Sequence, residues 1–421
     1  IRTSGGPTTI DNNNVLGGRV ETGAAADHLI NDFFWITEGI SDFALGDDVV
    51  DNNYVIVAGD EAGVAETTTF ANLENLNNNG LAGIDLQDQA AGDGSNISDR
   101  LETSGNYNGN GGGLAIDAFL GGAGSVADVL DVGGNVTGVT EIYVTDTNAG
   151  PGGYNPNGIL VAHADGDTAA GDFILADGPI DKGLFFYDLL FDAANGDHLL
   201  VGLPDREVFE TLAAVSSSQE IWRETADAWS TRQENLRDVL ATRQVVTGVA
   251  DPGVVEDNRP MGSLWVSALG SWAERDNEAS FSILNGSFEF DTSYQQDIYG
   301  MVGGADFRAD MGGDTSMLFG VMGGYVDSKL SFDESSTSID TNGGTVGAYA
   351  ALMSGGFFAT VLVKADLLNM DYTVGSLAED DNDDANVTTW GVRGDMGYRF
   401  GDSLFVEPML SVDGISTKID E

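Results

Sequence analysis

The sequence of 421 residues has no cysteine, so a small secreted scaffold held by disulfides is excluded. Only 8 residues are proline against 58 glycines, which excludes collagen-like sequence and favours a turn-dense, all-β chain. No run approaches the roughly 20 consecutive apolar residues of a membrane-spanning helix. Membrane-spanning strands of alternating polarity, which give a weaker signal, remain open.

Positive charge is also scarce. The chain has 17 Lys and Arg against 68 Asp and Glu, a formal net charge of −51. Nucleic acid is therefore a very poor partner, and self-repulsion favours solubility. We interpret the charge as an adaptation to a saline habitat, where acidic proteins are common, with divalent-cation binding by loops as the alternative. The densest acidic loop, Glu379–Asp384, would attract Ca²⁺ but lacks the spacing of an EF-hand.

Signatures of catalysis are missing as well. His28, His163 and His198 are far apart, and none has a metal-ligand partner at helical or turn spacing. No Gly-x-Ser-x-Gly occurs, and Gly121–Gly124 is not followed by the Lys and helix of a phosphate loop. We expect no catalytic, cofactor-binding or metal residues and no enzyme activity in this chain. Any catalytic part is expected before Ile1. The sequence begins without an initiator Met, and its first residues do not have the pattern of a signal peptide.

Residues 1–170 contain short apolar runs separated by Gly, Asn and Asp, such as Tyr54–Val57, Leu114–Ile116 and Val129–Val132. Each run has a strand's length or less. The runs recur about every 15 to 30 residues, as the rungs of a solenoid do. The pattern predicts a right-handed parallel β-helix. A β-sandwich with long loops is the alternative.

Residues 171–218 differ in composition. Gly183–Phe191 is the most apolar stretch of the first half, Asp192–Gly196 supplies a turn, and Leu199–Val201 follows. We predict a hairpin that caps the solenoid, because an open terminal rung exposes unpaired backbone.

Residues 219–260 begin with the one convincing helix, Gln219–Val246, which has no Gly or Pro and is preceded by candidate N-caps at Ser216–Ser218. Its length of about 40 Å would cross a bilayer core, yet it is charged on every side. Lipid would reject such a helix, whereas a water-lined pore would accept it. The residues predicted to lie in the pore are Trp222, Trp229, Arg232, Leu236 and Arg243.

Residues 261–421 alternate in polarity over about seven segments of ten or more residues, long enough to span a membrane as tilted strands. One face carries apolar residues, and the other carries glycine and charges of both signs. The charges predicted to face a hydrated lumen are Lys364, Asp366, Arg393, Asp395, Arg399 and Glu407. Tight turns at Met353–Gly356 and Phe400–Ser403 alternate with long polar connections at 274–293 and 375–386, as in an outer-membrane barrel.

Five segments, in order, carry a family resemblance: Ser125–Val136, Gly183–Phe191 with its continuation to Glu210, Gln219–Trp222, and the strands Leu264–Trp272 and Asp297–Asp306. They resemble the classical (type V secretion) autotransporters of Gram-negative bacteria that have a pertactin-like passenger. The resemblance implies a β-helical passenger stalk (1–170), an autochaperone-like cap (171–218), a pore linker (219–260) and a translocator β-barrel (261–421). The family's barrel has twelve strands, so we expect a partial chain.

The resemblance implies a protein that anchors in the outer membrane and displays its own passenger at the cell surface, as a stalk or adhesin. Its expected partners are outer-membrane lipid, lipopolysaccharide, the outer-membrane assembly machinery and periplasmic chaperones. The alternatives are a β-helical polysaccharide-acting enzyme on the same barrel and a porin with a periplasmic extension. Some relatives cleave themselves at an Asn pair in the pore helix. Asn235 is the candidate here, although it stands without a second Asn.

Overall fold

The computed structural model describes residues 1–59, 63–246, 262–312, 314–374, 383–401 and 404–420, with side chains except at 239–246, 310 and 383. The chain divides into two compact units. The first comprises Ile1–Asp205 and Ser280–Glu289, and the second comprises Arg206–Ala279 and Phe290–Glu421.

The elements follow in chain order. The strands before the helices are β1 (Thr9–Asn12), β2 (Leu16–Gly17), β3 (His28–Asn31), β4 (Phe34–Thr37), β5 (Ile40–Asp42), β6 (Val49–Asn52), β7 (Val55–Ala58), β8 (Thr67–Ala71), β9 (Asn75–Asn78), β10 (Gly83–Asp85), β11 (Arg100–Thr103), β12 (Asn106–Asn108), β13 (Gly113–Ala118), β14 (Val129–Val132), β15 (Val136–Thr137), β16 (Thr140–Asp146), β17 (Asn155–Ala164), β18 (Phe173–Leu175), β19 (Ile180–Lys182), β20 (Phe185–Asp192) and β21 (Asp197–Pro204). The helices are α1 (Arg206–Glu210) and α2 (Ala213–Val246). The strands after them are β22 (Gly262–Arg275), β23 (Glu278–Ile283), β24 (Gly286–Asp291), β25 (Tyr294–Gly312), β26 (Thr315–Phe332), β27 (Ser338–Ser354), β28 (Phe357–Thr373), β29 (Asp383–Tyr398) and β30 (Met409–Asp420).

The first unit is a coil of short strands, most of which pair in parallel with the strand one coil further on. Three sheets result, in the orders β1-β3-β6-β9-β12-β15, β2-β4-β7-β10-β13-β16-β18 and β5-β8-β11-β14-β17-β21-β20-β19. Aligned residues of successive coils lie 19 to 33 positions apart, as for Asn12 with Asn31 and Thr67 with Arg100. This is a parallel β-helix, so the predicted fold class is confirmed. The β-sandwich alternative is wrong, because a sandwich needs two antiparallel sheets.

The core of the β-helix lies inside the coil, since alternate residues of each strand point inward. Leu29, Val50 and Leu76 are aligned on successive strands of the first sheet, and each is at most 1% exposed. Trp35 stacks on Phe70 with ring centroids 4.9 Å apart. Apolar side chains of one coil thus stack on apolar side chains of the next. This stacking explains why such short strands are stable, because each coil completes the burial of the next.

An antiparallel hairpin closes the third sheet of the first unit. Strand β20 pairs with β21, and β21 pairs with β17, both antiparallel. The buried hydroxyl of Tyr187 accepts from the Gly153 amide (2.9 Å) and lies 3.0 Å from the Gly121 carbonyl oxygen. The hairpin therefore follows the parallel coils at the residues where the sequence predicts it.

Helix α2 begins at Ala213 rather than at the predicted Gln219, and the short α1 was not predicted. Ser216 and Ser218 lie within the helix and are not N-caps. Their hydroxyls donate to the carbonyl oxygens of Ala213 (2.9 Å) and Ala214 (2.8 Å). Such back-bonding satisfies a serine inside a helix, which is why the serine run does not mark its start.

Within the residues that the structure describes, no helix is long and apolar enough to cross a membrane.

The second unit contains a seven-stranded antiparallel sheet in the order β22-β25-β26-β27-β28-β29-β30. Its strands have 12 to 19 residues, far beyond the roughly five or six of an ordinary strand. The connections 313–314, 355–356 and 399–408 lie at one end, and 276–293, 333–337 and 374–382 lie at the other. The sheet thus has the long strands and unequal ends that the alternating pattern predicts.

Two predicted details of this region are wrong. The connection 274–293, expected as a polar loop, contains strands β23 and β24. The expected tight turn at Phe400–Ser403 lies partly outside the described residues, and the strand that was predicted to follow it from Leu404 begins only at Met409, as β30. Pro408 explains the later start, because it has no amide hydrogen for the ladder.

Candidate functional site: the helix and the inner face of the antiparallel sheet

Helix α2 lies along the inner face of the antiparallel sheet and contacts each of its seven strands. Trp222 and Trp229 are completely buried, together with Ala226, among Val302, Leu318 and other inward residues of the sheet. Because every strand of the sheet contacts the same helix, the sheet must curve around that helix. The side chains at this interface therefore decide what the helix and the sheet can do together.

The helix is oriented with respect to the two ends of the sheet. Its first turns lie at the end with the long connections, where Gln296 Nε2 donates to Ser217 Oγ (2.9 Å). Its later turns lie at the end with the two-residue turns, where Arg237 stands 3.9 Å above the Phe358 ring. The helix therefore runs from the long-connection end toward the short-turn end.

Trp222 occupies a position that the sheet leaves open for it. A Cβ atom on Gly391 would lie 2.8 Å from Trp222 Cζ2, so only glycine allows this approach. The Lys364 ammonium lies 4.7 Å from the Trp222 ring, a cation–π contact. Lys364 also pairs with Asp366 at 2.6 Å, and both side chains are fully buried. The predicted lumen residues Lys364 and Asp366 thus form part of the surface against which the helix packs.

A second group surrounds Asp306. Arg232 Nη2 lies 2.9 Å from Asp306 Oδ2, and Asp306 is 2% exposed. The Tyr349 hydroxyl donates to the same carboxylate, and Trp265 Nε1 donates to the Tyr349 hydroxyl at 2.9 Å. A buried carboxylate is stable only when paired and hydrogen-bonded, as it is here. This chain of bonds connects the helix with strands β22, β25 and β27.

Arg393 of strand β29 carries the third group. Its guanidinium pairs with Asp227 of the helix and with Asp395 at 3.3 Å. Ser230 of the helix also bonds to Asp395, at 3.4 Å. The arginine therefore joins the helix to the sheet while it neutralises a neighbouring acid.

The fourth group lies near the short-turn end. Arg237 Nη2 lies 2.8 Å from Glu407, and Arg399 lies 2.6 Å from the other oxygen of Glu407. Arg399 also pairs with Asp238 of the helix. Glu407 lies in the connection 399–408 and not in a strand, yet its side chain still reaches the helix.

The remaining predicted helix residues are placed as follows. Leu236 packs partly buried against the cluster that contains both tryptophans. Asn235 lies in continuous helix with an exposed side chain. Arg243 lies within α2, but its side chain is outside the described residues, as is most of the acidic loop Glu379–Asp384.

Sequence reasoning missed the helix acids and the wall acid that complete these pairs, namely Asp227, Asp238 and Asp306. For Asp306 the signal was present, because it alternates with the apolar Ala305 and Phe307 of its strand. For the two helix acids no signal was available. A helix charged on all sides does not indicate which charge meets which strand.

The outer face of the sheet has the opposite character. Exposed apolar side chains include Leu264 (86%), Val266 (70%), Met301 (58%) and Trp390 (56%). Trp272, also exposed, donates from Nε1 to the Tyr299 hydroxyl at 3.0 Å. An apolar outer face and a charged inner face suit hydrocarbon outside and a polar interior inside.

The three histidines of the β-helix are not gathered into a site. His28 lies 2.7 Å from Asp51, His163 lies 2.7 Å from Asp197, and His198 lies 3.3 Å from Thr168. Burial between Phe173 and Phe191 lowers the pKa of His198 to about 4. Among the described residues, no group of three His, Asp or Glu side chains is arranged to hold a metal ion.

Comparison with known proteins gives matches in both units. A family model described as an autotransporter beta-domain matches residues 264–421, and one described as an autochaperone domain of type 1 matches residues 71–189. The autochaperone match covers coils that the sequence analysis assigned to the stalk and ends within the predicted cap 171–218.

Two relatives in Escherichia coli strain K12 are both described as uncharacterized proteins. YdeU is 35% identical over 97 residues, which are 23% of this chain and 20% of YdeU. YuaQ is 38% identical over 115 residues, which are 27% of this chain and 8% of YuaQ. The matches thus span a fifth or less of either relative. The two family models, in their order and on these two folds, show that the chain belongs to the classical, type V autotransporters, whose β-domain is an outer-membrane barrel and whose passenger is exported to the cell surface.

Proposed function

We propose that this protein anchors in the outer membrane through its β-domain and exports and displays its own β-helical passenger as a stalk or adhesin. The observation that carries the proposal is the helix: a charged α2 whose partners are the inner-face charges of a sheet with an apolar outer face. Lipid would exclude such a helix, so it crosses the membrane only inside the sheet.

The direction of the helix supports export. Outer-membrane barrels have short turns on the periplasmic side and long loops outside. Helix α2 begins at the long-connection end, and this direction agrees with export of the chain that precedes it. A porin with a periplasmic extension would require the opposite direction.

The passenger's regularity supports a stalk or adhesin over an enzyme. Its coils repeat the same apolar and asparagine positions, and its histidines are dispersed. We therefore propose that the described passenger binds or spaces and does not catalyse. Degradation of acidic glycans by the purified protein, measured by release of oligosaccharides, would contradict this part of the proposal.

The partners follow from the family in general terms, namely the outer-membrane assembly machinery and periplasmic chaperones. Outer-membrane lipid and lipopolysaccharide are the proposed surroundings of the apolar outer face. Self-cleavage at Asn235 stays a separate prediction. Two bands for passenger and β-domain in whole-cell extracts would support it, and one band would contradict it.

Surface display can be tested with single cysteines, because the chain has none of its own. Asp165→Cys places a thiol on an exposed part of the passenger, and Ser354→Cys places one beside the turn 355–356. On intact cells a membrane-impermeant maleimide should label only Asp165→Cys, and Ser354→Cys should react only after permeabilisation. Labelling of Ser354→Cys alone on intact cells would reject the proposed orientation.

A further inference from the structure

The second sheet of the β-helix has an apolar outer face, whereas the outer face of the first sheet is mostly polar. On the first sheet, Asn77 donates to Asp51 (2.8 Å) and Asn108 donates to Asn77 (2.5 Å), so these outward side chains satisfy one another. On the second sheet the outward positions of five neighbouring strands form two rows. One row is Phe34, Val55, Gly83, Gly113 and Glu141, and the other is Ile36, Val57, Asp85, Ala115 and Tyr143. A contiguous apolar patch of this kind marks an interaction site.

Aromatic rings form a wall at one side of these rows. Phe33 stacks on Tyr54 with ring centroids 5.2 Å apart, and Phe34 meets Tyr54 edge to face at 5.1 Å. Tyr54 nevertheless stays 40% exposed. Because the rings hold one another in place, they offer a partner a large contact area at little cost in conformational entropy.

Tyr143 forms the opposite wall, three strands away from Tyr54. Its ring lies over Gly113, where a Cβ atom would come within 3.1 Å of Tyr143 Cε2, and its hydroxyl donates to Glu141 at 2.8 Å. Above Gly83 the surface is open, because a Cβ atom there would have no atom of the described chain within 4 Å beyond its own chain neighbours. Neighbouring strands are about 4.8 Å apart, so the two glycines leave a trough about 10 Å wide between the walls.

A carboxylate stands in this trough. Asp85 lies two residues after Gly83 on the same face of β10, between Val57 and Ala115 of the neighbouring strands. Its Oδ1 accepts from the Gln87 amide at 3.1 Å, and no cationic side chain of the described residues forms an ion pair with it. Burial raises the pKa of its carboxyl against the effect of that hydrogen bond. A cation brought beside Asp85 would therefore stabilise a carboxylate that is now surrounded by apolar side chains.

The charge of the passenger decides which partner fits this face. Residues 1–205 contain 32 Asp and Glu against four Lys and Arg. A second copy of the chain would bring like charge against the face and be repelled, whereas a basic polypeptide would be attracted. Among basic side chains arginine matches the trough, because its planar guanidinium stacks on aromatic faces and pairs with a carboxylate through two hydrogen bonds.

We propose that the outer face of the second sheet is a docking surface for a basic polypeptide segment, one arginine of which enters the trough between Tyr54 and Tyr143 and pairs with Asp85. The proposal rests on the proposed display of the passenger as an adhesin and names the chemistry of its partner. Residues of the partner on either side of the arginine cover the apolar positions of the two rows, such as Ile36 and Val57.

The test titrates the full protein in detergent into a fluorescein-labelled Gly/Ser peptide that contains three arginines, and into the same peptide with lysines, and follows fluorescence anisotropy at about 0.15 M NaCl. Asp85→Asn removes the charge at nearly constant volume, and Gly83→Val fills the trough with a residue that strands favour. The matched control is Asp11→Asn, which removes an exposed acid from the outer face of the first sheet. We expect both site variants to raise the Kd of the arginine peptide about tenfold or more, as for loss of a charge-assisted hydrogen bond, and the control to change it less than about twofold.

The unmodified protein should also bind the arginine peptide more tightly than the lysine peptide, and Tyr143→Leu should abolish this preference. Equal affinities in all variants would mean that the peptide responds to net charge alone, and would overturn the site. Self-association of the full protein in sedimentation, abolished by Gly83→Val and without binding of the arginine peptide, would assign the face to a second copy and overturn it too. Protease resistance of the passenger verifies that each variant is folded, and Tyr143→Leu decides if the others are not. Failure of Asp165→Cys to label on intact cells would reject display, whereas the peptide titration does not depend on export.

Discussion

Four asparagines of the β-helix form a buried ladder that runs from coil to coil. Asn12 donates to Asn31 (2.6 Å), Asn31 to Asn52 (2.8 Å) and Asn52 to Asn78 (2.9 Å), each through its side-chain amide. Each amide also donates to a backbone carbonyl of the next strand, as Asn52 does to Gly83 at 3.0 Å. Because every polar atom in the row has a partner, the amides specify the register of the coils without a burial penalty.

Replacing Asn52 by leucine should therefore lower the free energy of unfolding of the passenger. The leucine fills the same volume but leaves Asn31, Asn78 and the Gly83 carbonyl each short of a partner, and we expect a loss of about 2–4 kcal/mol in the free energy of unfolding. Pulse proteolysis of the passenger in urea measures it. The control is Asn53→Ala, in the exposed row beside the ladder, with an expected effect within about 0.5 kcal/mol. Equal losses for both variants would contradict a special role of the buried row.

Buried carboxyl groups form another row of the β-helix. Asp99 is 2% exposed, and its Oδ1 accepts from the Glu66 amide at 2.8 Å, while its Oδ2 has no hydrogen-bond partner among the described residues. Gly59, with φ of +91°, leaves room for this oxygen, because a Cβ there would lie 2.5 Å from it. Burial, which outweighs the opposing hydrogen bond from the Glu66 amide, raises the pKa of Asp99 to about 6, and the charges of Asp88, Glu66 and Asp117 contribute to the rise.

A raised carboxyl pKa means that the folded passenger binds the proton more tightly than the unfolded chain. The neutral form is favoured on folding, so this contribution to stability is complete below about pH 4 and is lost as pH rises toward about 6. Asp99→Asn mimics the neutral acid. It should raise the free energy of unfolding by about 2 kcal/mol at pH 7.5 and leave it nearly unchanged at pH 4. The exposed Asp167→Asn serves as control, and an equal gain at both pH values would refute the assignment.

At the scale of elements, predictions succeeded where the pattern was long and failed at boundaries. The parallel coils, the capping hairpin at 183–201 and the seven long strands follow from repeated polarity patterns. The start of α2 was misplaced because Ser216 and Ser218 look like caps in sequence, whereas their bonds to Ala213 and Ala214 are visible only in the structure. Strands β23 and β24 were missed although Asn285-Gly286 is a known hairpin signal.

The sequence predicts which face of a strand the charged residues occupy, but it does not predict which helix residue each of them pairs with. Alternation places Arg393, Asp395 and Arg399 on one face of β29, which follows from the period of a strand. Their pairing with Asp227 and Asp238 depends on the height of the helix inside the sheet. No local pattern encodes that height, because it arises from packing between segments more than 150 residues apart.

The capping hairpin carries the next prediction. Tyr187 is fully buried, and its hydroxyl joins β20 to the backbone at Gly153 and Gly121. Deletion of 183–201 should leave the β-domain in the outer membrane and make the passenger sensitive to protease, because the last coil would expose unpaired backbone. Tyr187→Phe should give a milder change, about 1–2 kcal/mol, through loss of its hydrogen bonds. Undiminished protease resistance after the deletion would count against the hairpin as a cap.

For the whole molecule, the net charge of −51 must be reconciled with a stable β-helix. Only four of the 17 cationic residues lie in the first 205 positions, so the passenger's carboxylates repel one another with little compensation. Dispersed repulsion between exposed groups responds to ionic strength alone. With a specific cation site, the stability of the passenger would instead depend on which cation is present.

These two origins of stability can be separated by salt. Raising NaCl from about 0.1 M to about 1 M shortens the Debye length from about 10 Å to about 3 Å, and we expect the urea midpoint of the passenger to rise steadily over this range. CaCl₂ at matched ionic strength should give the same midpoint, since screening does not distinguish the salts beyond their ionic strength. EDTA should then have no effect of its own. A higher midpoint in about 1 mM CaCl₂ than in NaCl at equal ionic strength, reversed by EDTA, would instead mean that acidic loops bind the cation specifically, because mass action stabilises a folded protein only through a ligand that prefers it.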